Sequence, residues 1–189
     1  MKHFRKIKDG IDVEPFLIEL RTFEGSWDLL RAVRAPVQKE TLNIPLRKGI
    51  DEVGKRFEDC HRSSKTEWYA CFPKLSALLE RVALELRGEL SRVMIVNLKP
   101  KGRVYRHLDS GEYYKIRNRY HLVLYSKGGS RMQIEDEEIL FQEGELWWYD
   151  NKSHHESYND SDTDRVHVIF DVLPLEKSIF KKFKLLFVK

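Results

Sequence analysis

From Ser91 to Pro174 the chain breaks into short apolar runs separated by turn residues at roughly ten-residue intervals, and no other feature constrains the fold as much. Val93 to Leu98 reads as a buried strand, followed by the turn Lys99-Pro100-Lys101-Gly102. Arg119 to Ser126 alternates, with His121, Val123 and Tyr125 on one face and Leu122 and Leu124 on the other. Lys127-Gly128-Gly129-Ser130 turns the chain into Met132 and Ile134, and Ile139 to Phe141 is a further run. Glu143-Gly144 then leads into Leu146-Trp147-Trp148-Tyr149, and Arg165 to Val172 closes the set. Turns this short leave no room for crossover helices, so the pattern predicts an all-β sandwich or barrel rather than βαβ units.

The last run has two distinct faces. Val166, Val168, Phe170 and Val172 form an apolar set for the core, while Arg165, His167, Ile169 and Asp171 fall on the other side. With Arg119 and His121 from the earlier run, this places cations and histidines where they line a cavity.

Residues 1–90 lack sustained alternation and read as a mostly helical flank to a β core over residues 91–175. Ser26 can cap a short helix to Arg34, stopped by Pro36. Leu42, Ile44 and Leu46 alternate as one short strand, and residues 51–59 suit another short helix. The clearest helix runs from about Lys74 to Arg87, with Leu75, Leu78, Leu79, Val82 and Leu86 at helical spacing, Pro73 before it and Gly88 after it. Its apolar stripe needs a partner, and the β core supplies one. His3 and His61 are expected at the surface. Residues 176–189 mix large apolar residues with lysines and read as a C-terminal helix packing back on the core.

At 189 residues the chain is expected to form one domain. The net charge of +4 is spread over both signs, giving no strong nucleic-acid signal. No run of eighteen apolar residues marks a membrane span, and the basic N-terminus is not followed by an apolar signal region. Cys60 and Cys71 make neither a metal motif nor a disulfide framework, which suits a reducing, cytoplasmic setting.

Against this frame the triplet His107-Leu108-Asp109 stands out. On an extended segment residues i and i+2 point the same way, so both side chains can reach one ion. His154-His155 supplies a distal third ligand at the end of a strand. Two histidines and a carboxylate on one face leave positions open, which suits Fe(II) with a bidentate cosubstrate and O₂. A structural zinc site would be closed by a fourth ligand, usually with cysteine. Arg165 heads the run ten residues beyond His155, where a hairpin would bring it close, and guanidinium is the preferred partner of a carboxylate. Two histidines, an aspartate and an arginine in this order are what an iron and 2-oxoglutarate site requires.

These residues carry a resemblance. Arg106-His107-Leu108-Asp109, Arg119-Tyr120-His121-Leu122, Gly144-Glu145-Leu146-Trp147, and the run from His155 through Asn159 to Arg165-Val166-His167 and Asp171 resemble the aspartyl/asparaginyl β-hydroxylase family of Fe(II)/2-oxoglutarate-dependent dioxygenases, which includes free-proline hydroxylases. The match covers about 75 residues, and the first ninety resemble the family only around Ile44-Pro45-Leu46-Arg47. The resemblance implies a double-stranded β-helix, the cupin-like jelly roll. It implies iron held by His107, Asp109 and His155, the family's spacing to Arg165 choosing His155 over His154. It also implies that Arg165 pairs with the far carboxylate of 2-oxoglutarate, and that Arg119 and His121 face the cosubstrate or the substrate. His167 has no role in the family pattern.

The implied reaction hydroxylates an unactivated C–H bond of an aspartyl or asparaginyl side chain in a protein, or of a free amino acid. Two other readings compete. A jelly-roll hydrolase or isomerase could use Zn²⁺ or Mn²⁺ at the same ligands without needing Arg165, and a non-catalytic binding module would need no metal. Tyr113-Tyr114 with Lys115, Arg117 and Arg119 reads either as a lid that recognises a carboxylate-bearing substrate or as a solvated basic loop.

Overall fold

A computed structural model describes residues 1–28 and 35–176 of the chain. Eight consecutive strands build its centre: β4 (Gly88–Leu98), β5 (Arg103–His107), β6 (Asn118–Tyr125), β7 (Ser130–Ile134), β8 (Glu137–Leu140), β9 (Leu146–Tyr149), β10 (His155–Asn159) and β11 (Arg165–Pro174). They divide four and four. The order β9-β6-β11-β4 forms the middle of a large sheet, and β5-β10-β7-β8 forms a small one. All pairings are antiparallel. Two facing antiparallel sheets fed alternately by one chain are a jelly roll.

The first ninety residues are less helical than their sequence suggests. They hold α1 (Glu14–Arg21) and α2 (Pro73–Glu85), but also β1 (Phe4–Lys8), β2 (Thr41–Gly49) and β3 (Ser63–Lys65). All three strands extend the large sheet, β1 beside β9 and β2 between β4 and β3. β1 is too short and too charged for its alternation to stand out, and the edge of the large sheet supplies the ladder that makes it a strand. The helix expected over residues 51–59 is only a 3₁₀ turn at Phe57–Asp59, preceded by Gly54 at φ 76°. Of the helix expected from Ser26 to Arg34, residues 29–34 lie outside the described part, and Asp28 forms a β-bridge with Asn43. The expected C-terminal helix also lies outside it from residue 177 onward.

A second expectation fails in a way that matters for the site. β10 and β11 do not form a hairpin. β10 lies between β5 and β7, and β11 between β6 and β4, so the segment joining them crosses from one sheet to the other. His155 and Arg165 therefore face each other across the sandwich rather than along one ladder.

Two apolar cores flank the large sheet. On its outer side Leu75, Leu78, Leu79, Val82 and Ala83 of α2 pack on Ile44, Leu46, Val93, Ile95, Leu122, Val168 and Phe170. Full burial contributes about 1.5–3 kcal/mol for each large side chain. Between the sheets a smaller cluster joins Val123, Met132, Ile134, Phe141, Trp147 and Tyr149. The start of α2 is fixed from outside the helix. Both carboxylate oxygens of buried Glu19, on α1, accept backbone N–H groups, from Lys74 at 2.6 Å and Leu75 at 3.1 Å. At its other end Gly88 lies where a Cβ would come within 2.3 Å of Val172, so the chain can enter β4 only with glycine there. No helix among the described residues is long and apolar enough to cross a membrane.

Candidate active site

His107 ends β5 and His155 begins β10, and the two are register partners in the small sheet. Their rings lie 4.4 Å apart, and the ligand atoms of His107, Asp109 and His155 all fall within 4.8 Å of one another. Each histidine is turned by the same local contact. Nδ1 of His107 lies 2.7 Å from the Tyr105 carbonyl, and Nδ1 of His155 lies 2.9 Å from that of Ser153. A carbonyl only accepts, so both Nδ1 atoms carry the proton and both Nε2 lone pairs are free for a metal. Burial pushes the His155 imidazole down to about 4, partly opposed by Asp109, so the ring is neutral at neutral pH.

Asp109 follows β5 in a loop clamped by Asn151. Its N–H donates to the Asn151 carbonyl at 3.0 Å, and its Oδ2 accepts from Asn151 Nδ2 at 2.9 Å and from Arg119 Nη1 at 2.8 Å. Oδ1 is left for an ion. Burial pushes this carboxyl up, but Arg119 and His155 outweigh burial and hold it below the usual carboxylate range. Two imidazoles and one ionised carboxylate, each oriented by a further hydrogen bond, fit a divalent metal with open positions.

Arg119, on β6, does not reach freely into the cleft as its alternation suggests. Its Nε and Nη2 donate to Oδ1 and Oδ2 of Asp171 at 2.8 and 2.9 Å, while Nη1 holds Asp109. Asp171 is its register partner on β11 and also accepts from the Tyr113 hydroxyl at 3.0 Å. Burial works against the Arg119 charge, but Asp109 and Asp171 more than offset it.

Arg165 is the opposite case. It heads β11, lines the cleft and is 1% exposed, yet no carboxylate lies within ion-pairing distance among the described residues. Among the described residues its Nε has no partner, and its Nη1 donates only to His167 Nδ1 at 3.3 Å. Burial lowers its pKa to about 10, so it is charged at neutral pH. A buried guanidinium without a counter-ion is costly unless an anion arrives. Met94, Val96, Met132 and Ile169 are among the walls of the open cleft around it.

The other residues noted in the sequence fall as follows. His121 lines the cleft and packs edge-on to Tyr149. His154 is exposed, 3.7 Å from Glu135, and takes no part in the cluster. The segment around Tyr113 is no solvated loop. It forms the short helix α3 (Glu112–Lys115), with Tyr113 fully buried between Arg92 and Arg117, whose guanidinium carbons lie 3.7 and 4.0 Å from its ring. Arg117 is itself buried and donates to Ser91 Oγ and to the carbonyls of Tyr113 and His61. Gly111, at φ 104°, lets this segment press on Glu58, whose carbonyl oxygen would lie 2.5 Å from an added Cβ. His3, expected at the surface, is buried with Nδ1 3.3 Å from Asp150, because β1 pairs beside the end of β9. The contacts of Asn151 and Tyr113 had no sequence signal. Asp171 did have one, its phase on the polar face of the last strand.

Residues 56–174 match the family model for aspartyl/asparaginyl β-hydroxylases. A search of curated proteins finds no match. Among solved structures, an oxidoreductase of the 2OG-Fe(II) oxygenase family from Burkholderia pseudomallei superposes with a TM-score of 0.62 at 11% identity, over 91% of this chain and 84% of that one. A prolyl-4-hydroxylase from Pseudomonas putida gives 0.51 at 16% identity, over 91% and 92%. The viral collagen prolyl hydroxylase of Paramecium bursaria Chlorella virus-1, in complex with 2OG, gives 0.52 at 10% identity, over 91% and 96%. At such identities these structures share the fold. The family match spans well over half of the chain, which therefore belongs to the aspartyl/asparaginyl β-hydroxylase family, 2-oxoglutarate-dependent hydroxylases that use Fe(II), 2-oxoglutarate and O₂.

Proposed function

We propose that this chain hydroxylates an unactivated C–H bond of an amino acid, either an aspartyl or asparaginyl side chain in a protein or a free amino acid. Nε2 of His107, Nε2 of His155 and Oδ1 of Asp109 would hold Fe(II), and Arg165 would pair with the far carboxylate of 2-oxoglutarate. The observation that carries this reading is the buried, charged Arg165, with no counter-ion among the described residues, in the same cleft as the two histidines and Asp109.

When bound, iron and cosubstrate supply the oxidation: O₂ is consumed, 2-oxoglutarate loses CO₂ to become succinate, and a substrate C–H bond becomes C–OH. The protein supplies position and environment. Tyr105 and Ser153 turn the two imidazoles by their carbonyls, while Arg119 and Asn151 hold one oxygen of Asp109 so that the other points inward. Arg165 offers a two-pronged donor to a carboxylate. Met94, Val96, Met132 and Ile169 give the cleft apolar walls that limit water.

The test reconstitutes the full chain anaerobically with Fe(II), then adds labelled 2-oxoglutarate and O₂ and follows succinate. Panels of free amino acids and of Asp- or Asn-containing peptides are screened for the gain of one oxygen atom. Arg165→Met should weaken 2-oxoglutarate binding while sparing metal, whereas His155→Ala should lose metal. A chain that binds neither Fe(II) nor 2-oxoglutarate and forms no succinate refutes the reading.

A further inference from the structure

Behind Arg165 lies a pair of histidines that the site described so far does not use. His167 on β11 is fully buried, and its Nδ1 lies 3.3 Å from Arg165 Nη1 and 3.3 Å from Nδ1 of His121 on β6. The two imidazoles meet edge-on at 5.4 Å, with Phe141 packed against both. Burial first, and then the nearby Arg165 charge, push both rings well below the usual histidine range, so both are neutral.

Taken as hydrogen bonds, the two contacts assign the protons. A guanidinium nitrogen can only donate, so His167 Nδ1 is an acceptor and carries a lone pair. His121 Nδ1 faces that same lone pair, so it must be the donor. A neutral ring has one proton, which leaves His167 protonated at Nε2 and His121 with a lone pair at Nε2. Both Nε2 atoms are buried without a partner among the described residues.

We propose that His167 is a positioning residue for the cosubstrate arginine: its Nδ1 lone pair takes hydrogen bonds from Arg165 Nη1 and His121 Nδ1 together, aiming the guanidinium across the cleft and fixing His121 in the tautomer that bears a lone pair at Nε2. Arg165 is long, buried and without a carboxylate to hold it, and His167 is its sole hydrogen-bond partner among the described residues. The arrangement also gives His121 a meaning the sequence did not suggest. A residue facing 2-oxoglutarate would be expected to donate to its oxygens, but in this tautomer His121 Nε2 carries a lone pair and no proton.

This inference rests on the cosubstrate reading, and the experiment separates the two. The Zn(II)-loaded full chain, which does not turn over, is titrated by calorimetry with 2-oxoglutarate and with 2-oxopentanoate, which has the same 2-oxo acid end but no far carboxylate. His167→Leu should weaken 2-oxoglutarate by about tenfold, the size of one lost hydrogen bond to a charged group. It should leave 2-oxopentanoate within twofold, a change within about 0.4 kcal/mol. His167→Asn, whose Oδ1 can accept in place of Nδ1, should recover most of the affinity. Nitrogen-15 spectra of the metal-free wild-type chain should find His167 protonated at Nε2 and His121 at Nδ1.

A folded His167→Leu chain that binds 2-oxoglutarate like wild type, or loses both acids equally, overturns the proposal. So does a proton on His167 Nδ1. Should His167→Leu not fold, the tautomers of the wild type and the behaviour of His167→Asn decide the matter. A wild type that binds no 2-oxoglutarate overturns the cosubstrate reading, and with it this one.

Discussion

Arg119 holds Asp109 and Asp171 at once, with one nitrogen on the first carboxylate at 2.8 Å and two on the second at 2.8 and 2.9 Å. A planar fork suits this geometry, and an ammonium does not. Arg119→Lys should therefore retain the charge balance but lose the orientation of Asp109. Metal affinity should fall by about 10–100-fold, the usual cost of removing a group that orients a ligand. Arg119→Met should behave differently, because it leaves Asp171 buried without a cation and should destabilise the chain by about 3–5 kcal/mol. Competition with a fluorescent chelator reads the first effect and urea unfolding the second. Equal metal affinity in wild type and Arg119→Lys would show that Asp109 needs no such support.

The two neutral histidines on β6 and β11 make stability depend on pH. Burial holds the folded pKa values of His121 and His167 well below the ordinary value of about 6.5, which the unfolded chain regains. Below about 6.5 the unfolded state takes up protons that the folded state refuses, so stability is complete above that pH and declines as pH falls. The urea midpoint of the metal-free chain should drop between about pH 7.5 and pH 5.5. His167→Leu should make that decline shallower by removing one of three such rings, since burial also holds His155 down at about 4. A midpoint that holds level across this range would mean the rings are not kept neutral by the fold.

The sequence was most legible where periodicity and chemistry coincide. Val166, Val168 and Phe170 alternate with Arg165, His167 and Ile169, and the first set lies in the outer core while the second faces the space between the sheets. The spacing of His107 and Asp109 likewise follows from an extended backbone. What stayed hidden depends on contacts far apart in sequence. β1 has only five residues and becomes a strand because β9 offers it a ladder. Asn151 sits in a turn that looks like any other, and only the fold brings it to Asp109, 42 residues away. The path from His155 to Arg165 was read as a hairpin because length alone cannot say whether a chain stays in one sheet or crosses to the next.

Glu19 offers a test of how the flank supports the β core. Its carboxylate takes the N–H groups of Lys74 and Leu75, two of the donors that an α-helix leaves open at its start. Negative charge there also complements the helix dipole. Glu19→Ala should cost about 1–3 kcal/mol, since it leaves buried donors unpaired. Glu19→Gln, which can still accept through one oxygen, should cost less. Thermal unfolding of the two variants should order them below wild type, and metal affinity should be unchanged in both, because α2 packs on the outer face of the large sheet.

Asn159 controls the crossing from one sheet to the other. Its Nδ2 donates to the carbonyls of Leu98, Lys99 and Thr163 at 3.1, 3.0 and 2.8 Å, while its Oδ1 accepts from the Ser161 hydroxyl at 2.7 Å. Leu98 is the register partner of Arg165, so this one amide ties the last residue of β10 to the place where Arg165 begins β11. His155 stands at the far end of β10, held by its own pairing with His107 and Ile134. Asn159→Ala should thus loosen Arg165 without disturbing His107, Asp109 and His155. We expect a loss of about 1–2 kcal/mol in stability, weaker 2-oxoglutarate binding and unchanged metal affinity. Asn159→Asp should be worse, because it turns a donor facing three carbonyls into an acceptor. If both variants lost metal and cosubstrate to the same degree, the crossing segment would be acting on the whole site rather than on Arg165.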